Sequence, residues 1–201
     1  MKCALCRNKE CYDDKDCFDL RGKSMRSYTV QERESMRISA EIEAEYYMKK
    51  TRLDELIIYA KKMGYKRVGI AFCIGLENEA RIIHEILAEH FEVYSACCKV
   101  CGIDKREFEL RKLHAEKERE AMCNPIGQAI LMNEKNTELN IILGLCIGHD
   151  ILFTDHSNAP VTTLAVKDRV LAHNPLGMIY SGYYRRKMLG RSERHENHNC
   201  I

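Results

Sequence analysis

Short apolar segments alternate with longer amphipathic or charged segments along most of the chain. The clearest apolar segment, residues 141–145, is short, begins with β-branched side chains and has glycine close to its end. This pattern is typical of a strand that is buried on both faces, as in a parallel sheet. Comparable segments predict three more strands, and the four predicted strands span residues 67–73, 91–96, 140–146 and 161–166.

The segments between these strands carry helical signals. Thr29 and Glu32 have the spacing of a capping box, which predicts a long charged helix running to about Lys50. An apolar stripe at helical spacing predicts the next helix, and Gly64 ends it. Further predicted helices span residues 77–89, 125–132 and 150–155, a charged helix or a helix with a loop spans 104–122, and a last helix begins at Pro175.

The order of these elements predicts an α/β fold, namely a three-layer, Rossmann-like parallel sheet of about four strands with helices on both faces. We expect this domain to span residues 29–190, after a small Cys-rich appendage at 1–28 and before a disordered tail at 191–201. Right-handed crossovers place the carboxyl ends of all parallel strands at one edge of the sheet. Functional side chains are therefore expected at that edge.

Length, hydrophobic content, net charge and missing motifs exclude several classes of protein. The chain has 201 residues, 45% of them hydrophobic, which is enough for one α/β domain with a core. Its formal net charge of +2 gives no strong attraction to nucleic acid or to a membrane surface. Because the sequence has neither an 18-residue apolar run nor the apolar region of a signal peptide, we expect a cytoplasmic protein. Neither a dinucleotide fingerprint nor a phosphate-binding loop is present.

Cysteine is abundant, with eleven residues, and in a reducing compartment thiols are more often ligands or reactive groups than disulfides. Four of them, Cys3, Cys6, Cys11 and Cys17, lie in a polar segment with too few apolar side chains to fold alone. A structural zinc ion contributes on the order of 10 kcal/mol to folding. The four thiols are therefore predicted to bind zinc or, as the alternative, an iron–sulfur cluster; a thiol-rich tail without metal is the remaining interpretation.

Two short motifs each occur twice and suggest a second site. Each of two predicted strands ends on the cysteine of a Cys-Ile-Gly motif, at 73–75 and 146–148, and a Cys or His precedes Asn-Pro at 123–125 and 173–175. Both motifs belong at the sheet edge or at helix N-termini, where backbone amides favour thiolates. We expect a shared redox, sensory or cofactor-binding pocket formed by Cys73, Cys123, Cys146 and His149, with Cys97 or Cys98 and His173 lining it.

Three classes of function remain open on these residues. The first is a metal or iron–sulfur protein with a redox or sensory site at the sheet edge. The second is a zinc-stabilised binding module with an unknown protein partner. The third is a thiol enzyme in which Cys123 or Cys146 is the nucleophile and His149 or His173 the base.

Several motifs together resemble a known family. They are Cys-Ala-Leu-Cys at 3–6, Cys-Asn-Pro-Ile-Gly-Gln-Ala at 123–129, Gly-Leu-Cys-Ile-Gly-His-Asp at 144–150, Ala-Pro-Val-Thr-Thr-Leu at 159–164 and Lys-Asp-Arg-Val-x2-His-Asn-Pro at 167–175. The chain resembles, over nearly its whole length, a prokaryotic family of predicted metal-binding proteins of unknown function that is common in anaerobes. The resemblance implies metal binding and carries no catalytic residue with it.

One segment has a second, shorter similarity. Residues 144–153 are similar to a segment of the carbon monoxide dehydrogenase and hybrid-cluster families. In those families, cysteines at strand ends of Rossmann-like domains hold iron–sulfur clusters. The paired cysteines of that pattern are absent from this segment, so the similarity implies only how such a sheet edge could hold a cluster.

Overall fold

The computed structural model describes residues 1–190 and divides the chain into two compact units, Met1–Thr51 and the part from Arg52 onwards. The first unit therefore extends beyond residue 28, where the predicted Cys-rich appendage ends. The predicted disordered tail at 191–201, with His195, His198 and Cys200, lies outside the described residues. No helix within residues 1–190 is long and apolar enough to cross a membrane.

The first unit contains two α-helices, α1 (Arg21–Ser27) and α2 (Val30–Tyr46), after 3₁₀ turns at Cys3–Leu5 and Glu10–Asp13. The capping box predicted before α2 is confirmed, because the Thr29 hydroxyl accepts from the Glu32 N–H and the Glu32 carboxylate accepts from the Thr29 N–H. Residues 1–34 are all exposed, and α2 buries Ile38 and Ile42. The segment that carries the first four cysteines therefore has no hydrophobic core of its own.

The second unit is the predicted α/β fold. Its strands are β1 (Arg67–Phe72), β2 (Glu92–Cys97), β3 (Leu139–Leu143) and β4 (Val161–Ala165), and they form one parallel sheet in the order β2-β1-β3-β4. The helices of this unit are α3 (Arg52–Lys62), α4 (Glu77–Ala88), α5 (Pro125–Glu134), α6 (His149–His156), α7 (Gly177–Tyr180) and α8 (Gly182–Met188). The prediction of four parallel neighbouring strands is confirmed.

Successive side chains of each strand point to opposite faces of the sheet, and this produces two hydrophobic clusters, one on each face. On one face, β1 and β3 pack with α3 and α4 through Val68, Ile70, Leu56, Ala80 and Leu87, among others. On the other face, Ala71 and Ile142 pack with Ala129 and Met132 of α5 and with Phe153 of α6. Because β3 is buried on both faces, its residues 141–143 are a continuous apolar run in the sequence, and its one polar residue, Asn140, is buried as well.

The strand order creates a topological switch point. From β1 the chain continues to β2 on one side of it, and then crosses to β3 on the other side. In open parallel sheets, the crevice beyond the carboxyl ends of the strands at such a point is the usual place for a ligand. In this protein the crevice lies beyond β1 and β3, which end at Phe72 and Leu143.

The charged helix predicted between Asp104 and Met122 is wrong. Only a 3₁₀ turn, Lys105–Phe108, forms there, and Asp104 pairs with Ala121 in an isolated antiparallel bridge. The Glu120 carboxylate accepts from the N–H groups of Leu113 and His114, at 2.9 and 3.1 Å. Since side chains satisfy the backbone amides, the segment closes as a loop and a helix is not required.

The two Asn-Pro sequences do not have the same structure. Asn124 caps α5, because its side-chain Oδ1 accepts from the Gly127 N–H at 2.9 Å. Asn174 receives the Gly177 N–H on its backbone carbonyl, and the helix expected at Pro175 begins only at Gly177. That helix is also broken at Ser181, whose side chain caps α8. The repeated Asn-Pro motif therefore does not form a repeated structure.

Candidate functional site

Three thiols meet where β1, β2 and the loop before α5 come together. Cys73 and Cys98 are the first residues after β1 and β2, and Cys123 precedes the cap of α5. Backbone hydrogen bonds tie the segments to each other: Cys98 N donates to Phe72 O, and Asn124 N donates to Cys98 O, both at 2.8 Å. The sulfur atoms of Cys98 and Cys123 consequently lie 3.9 Å apart.

Cys98 is the central thiol of the three. It is hydrogen-bonded to both Cys73 and Cys123, and its sulfur also accepts from the Ile74 N–H at 3.3 Å. These bonds to two neighbouring sulfurs, together with burial, raise the pKa of Cys98. Cys98 therefore favours its protonated form.

The flanking thiols respond in the opposite direction. The hydrogen bond from Cys98 lowers the pKa of Cys73 to about 5, with help from the Gly75 N–H and Lys167 and against the effect of burial. The hydrogen bond between Cys98 and Cys123 likewise lowers the pKa of Cys123 to about 5, with help from Lys99 and His149 and against the effect of burial. The arrangement therefore favours the thiolate at Cys73 and Cys123 and the protonated thiol at Cys98.

Cations from neighbouring segments balance these thiolates. Lys99 Nζ lies 3.4 Å from the Cys123 sulfur and is anchored by the Ala121 carbonyl at 2.8 Å. Lys167, two residues after β4, interacts with Cys73. Arg169 donates to the Cys146 sulfur at 3.1 Å, and this contact, followed by the charges of Cys73 and Cys123, raises the pKa of its guanidinium.

A buried amide fixes the strand ends that carry the thiols. Gln128 of α5 is fully buried, and its Nε2 donates to Phe72 O at 3.2 Å and to Ala96 O at 2.7 Å. The two carbonyls precede Cys73 and the Cys97-Cys98 pair by one residue. Gln128 therefore couples the position of α5 to the ends of β1 and β2, and its Oε1 has no hydrogen-bond partner within the described residues.

The structure brings together some of the predicted pocket residues. Cys73, Cys98 and Cys123 are in contact, and His149, the first residue of α6, acts electrostatically on Cys123. Cys146 lies three residues beyond the end of β3, and not at the strand end as predicted, because the chain turns at Gly144 with φ of +67°. Its membership of a common pocket with the other thiols stays a prediction.

Cys97 and His173 are placed less centrally. Cys97 is the last residue of β2 and is half-buried, next to the central Cys98. His173 accepts the Asp168 N–H on its Nδ1 at 3.1 Å, and Asp168 in turn caps the N–H groups of Val170 and Leu171. The hydrogen bond of His173 therefore closes the turn after β4.

Possible metal ligands are not grouped in the part of the chain that the structure describes. The four N-terminal cysteines are free and exposed. Across residues 1–190, no three Cys, His, Asp or Glu side chains are grouped so that they could hold a metal ion. In this conformation the donors do not fit a metal, so zinc or an iron–sulfur cluster at either place stays a prediction.

Sequence patterns did not assign the cations or the buried amide. Lys99 follows the Cys97-Cys98 pair directly, and Lys167 and Arg169 follow β4. A cation just beyond a parallel strand is a usable signal, because all strand ends share one edge. Gln128 offered a weaker signal, namely a polar residue within the apolar face of a predicted helix.

Comparison with known proteins gives a family. The family described as "Protein of unknown function (DUF1847)" matches residues 13–164. An uncharacterized protein of Methanocaldococcus jannaschii is 59% identical over 191 residues, which are 94% of this chain and 98% of that protein. No solved structure matches the chain. Since the match covers most of its length, the chain belongs to the DUF1847 family.

Proposed function

We propose that this protein is a thiol–disulfide redox protein in which Cys123 is the attacking thiolate and Cys98 the resolving thiol. The observation that carries the proposal is the 3.9 Å separation of these two sulfurs beside Lys99. A disulfide has an S–S bond of about 2.05 Å. Side-chain rotation that brings the sulfurs about 2 Å closer would therefore allow the bond to form, with a substrate disulfide as the oxidant.

The reaction follows from the protonation of the site. The Cys123 thiolate attacks one sulfur of a substrate disulfide, which breaks the S–S bond and releases the first substrate thiolate. Cys98 then attacks the Cys123 sulfur of the mixed disulfide, and its proton passes to the second substrate thiolate as it leaves. The products are a Cys98–Cys123 disulfide and two reduced substrate halves, so the substrate gains the two electrons that the protein loses.

Cys123 suits the attacking role better than the other candidate nucleophile. It is half-buried and accessible, whereas Cys98 is 2% exposed. The N-terminus of α5 and the Lys99 ammonium both favour its thiolate. Cys146 is paired with Arg169, and among residues 1–190 no hydrogen bond joins it to a thiol that could resolve a mixed disulfide.

Trapping of the mixed disulfide tests the proposal. Anaerobically reduced protein is treated with oxidised glutathione and mapped by mass spectrometry. The wild type should release both glutathione halves and contain an internal disulfide that includes Cys98. Cys98→Ser should instead retain one glutathione on Cys123, since the resolving sulfur is missing.

Cys101→Ser is the matched control, because Cys101 is an exposed thiol three residues from Cys98. It should behave as the wild type. The proposal fails if the wild type forms no internal disulfide with Cys98, or if Cys98→Ser and the wild type retain the same amount of glutathione on Cys123.

A second candidate function is metal binding by Cys3, Cys6, Cys11 and Cys17. It is supported by the exposure of residues 1–34, because a segment with four thiols and no core gains its folding energy elsewhere. Zinc, or alternatively an iron–sulfur cluster, would have to draw the four thiols together. The expected result is one zinc ion, or one iron–sulfur cluster, per chain after anaerobic purification, lost in Cys6→Ser with Cys17→Ser and kept in Cys101→Ser. Equal metal content in these variants would contradict it.

A further inference from the structure

The redox reaction proposed above leaves one nucleophile of the cluster without a role. Cys73 is 6% exposed and shares a buried cluster with Cys98 at the end of β1, whereas Cys123, in the loop before α5, has its sulfur 3.9 Å from that of Cys98. Its neighbour Ile74 donates its N–H to the Cys98 sulfur at 3.3 Å, which holds that sulfur against the turn after β1. Cys98 is thus the common partner of Cys73, the inner thiol, and Cys123, the outer thiol. A disulfide between Cys73 and Cys98 is called the inner bridge, and one between Cys98 and Cys123 the outer bridge.

We propose that Cys73 is a second resolving thiol, which displaces Cys123 from the Cys98–Cys123 disulfide and moves the bridge to Cys73–Cys98. This inference rests on the proposed redox function. The Cys73 thiolate, which the Gly75 N–H and Lys167 still stabilise once Cys98 has lost its proton, attacks the Cys98 sulfur. The Cys98–Cys123 bond breaks, and Cys123 leaves as a thiolate. One S–S bond forms as another breaks, so the step needs no oxidant, reductant or proton.

Burial sets the direction of this exchange. A disulfide is neutral, and charge is costly to bury and inexpensive to hydrate. With the bridge at Cys98–Cys123, the remaining thiolate is the buried Cys73; with the bridge at Cys73–Cys98, it is the more accessible Cys123. The inner bridge is therefore favoured, and Lys99 stays beside the released Cys123 thiolate.

The exchange has a consequence for the chemistry of the site. An inner disulfide between residues that are 6% and 2% exposed is shielded from soluble thiols. Reduction then passes through Cys123, which must first attack Cys98 and restore the outer bridge. The oxidised protein thus holds its disulfide where soluble thiols cannot reach it, while the half-buried Cys123 remains a reactive thiolate.

Disulfide mapping over time tests the relay in the wild-type protein. After one equivalent of oxidised glutathione, samples are quenched at intervals with an alkylating reagent. The bridge should appear first at Cys98–Cys123 and then at Cys73–Cys98, with Cys123 alkylated in the later samples. A bridge that stays at Cys98–Cys123 to equilibrium overturns the relay and leaves the redox function intact, whereas no bridge at Cys98 refutes the redox function itself.

Cys73→Ala provides the matching variant, with Cys101→Ala as control. Cys73→Ala should hold the outer bridge at all times and be reduced by free glutathione at least tenfold faster than the wild type, while Cys101→Ala follows the wild type. Reduction of both variants at the wild-type rate overturns the proposal. If Cys73→Ala does not fold, the time course in the wild type gives the decision, since it needs no substitution.

Discussion

At the scale of single residues, the position of a proton and of a few charges determines the chemistry of the thiols. The three sulfurs differ little in covalent terms, yet the hydrogen bonds of Cys98 raise its own pKa and lower those of Cys73 and Cys123 to about 5. The effect requires contact between sulfurs that are 25 or more residues apart in the chain, as for Cys98 and Cys123. The lowered pKa values therefore arise from the arrangement of the thiols and not from residue type.

Removal of one cation should move the titration of Cys123. In Lys99→Gln the charge 3.4 Å from the sulfur is lost, so the pKa of Cys123 should rise from about 5, by on the order of one pH unit. The measurement is the rate of Cys123 alkylation as a function of pH, followed by mass spectrometry. Lys105→Gln is the control, since Lys105 pairs with Glu120; an identical shift in both variants would contradict the assignment.

Gln128 should matter for stability and for the thiols together. Gln128→Leu removes the side-chain donor of the Ala96 carbonyl and leaves the Phe72 carbonyl with the Cys98 N–H, which should lower the free energy of unfolding by about 1–3 kcal/mol in urea titrations. Because those carbonyls precede Cys73 and the Cys97-Cys98 pair, the alkylation profile of Cys123 should also shift. A stability loss with an unchanged profile would mean that Gln128 only supports packing.

At the scale of elements, the turns after the strands place the functional side chains. The turn after β3 is the tightest case, because Gly144 has φ of +67° and a Cβ on it would lie 2.0 Å from Leu76 Cδ1. Leu76 is buried just before α4, so the turn after β3 and the start of α4 fit closely. This contact sets where the chain leaves β3 and hence where Cys146 stands.

Two glycines of this turn form a matched pair. Gly144→Ala and Gly148→Ala both place alanine at positive φ, at +67° and +84°, but a Cβ on Gly148 meets nothing within 4 Å. Both variants should lose about 1–2 kcal/mol for the left-handed backbone. Gly144→Ala should lose a further 1–3 kcal/mol, roughly, for the overpacking against Leu76. Equal unfolding free energies in urea would show that Leu76 yields without cost.

At the scale of the whole molecule, the protonation of the cluster should make stability depend on pH. The pKa values of Cys73 and Cys123 fall from 9.0 in the ordinary thiol to about 5 in the folded protein. A lowered pKa contributes stability that is fully present above 9.0 and is lost as the pH falls through about 5. Cys98 acts with the opposite sign, because its pKa is raised and its contribution is lost as the pH rises above 9.0.

The free energy of unfolding of the reduced protein should therefore rise between about pH 5 and pH 9, relative to Cys123→Ser. The measurement is urea unfolding at several pH values in the presence of a reductant. Cys101→Ser serves as the control and should run parallel to the wild type. If the wild type and Cys123→Ser show the same pH dependence, the thiolate of Cys123 contributes nothing to stability.

The sequence by itself determined where the strands and several helix boundaries lie and that the strands run parallel. Apolar runs and β-branched residues placed all four strands within three residues of their observed ends, and Thr29, Gly64 and Asn124 marked helix boundaries through local backbone chemistry. Parallel pairing followed because each strand is separated from the next by a segment long enough for a crossover. These features depend on neighbours in the chain, and a single sequence records such neighbours directly.

Only the tertiary structure decided the order β2-β1-β3-β4, the loop at residues 104–122 and the contact of Cys98 with two other thiols. The repeated motifs suggested an equivalence of Cys73 with Cys146 and of Cys123 with His173, but the turn at Gly144 and the hydrogen bond of His173 separate the members of each pair. Lys99 acquired its role because the loop at 121–123 returns beside β2. Such contacts join residues far apart in the chain, so they depend on packing that no local pattern encodes.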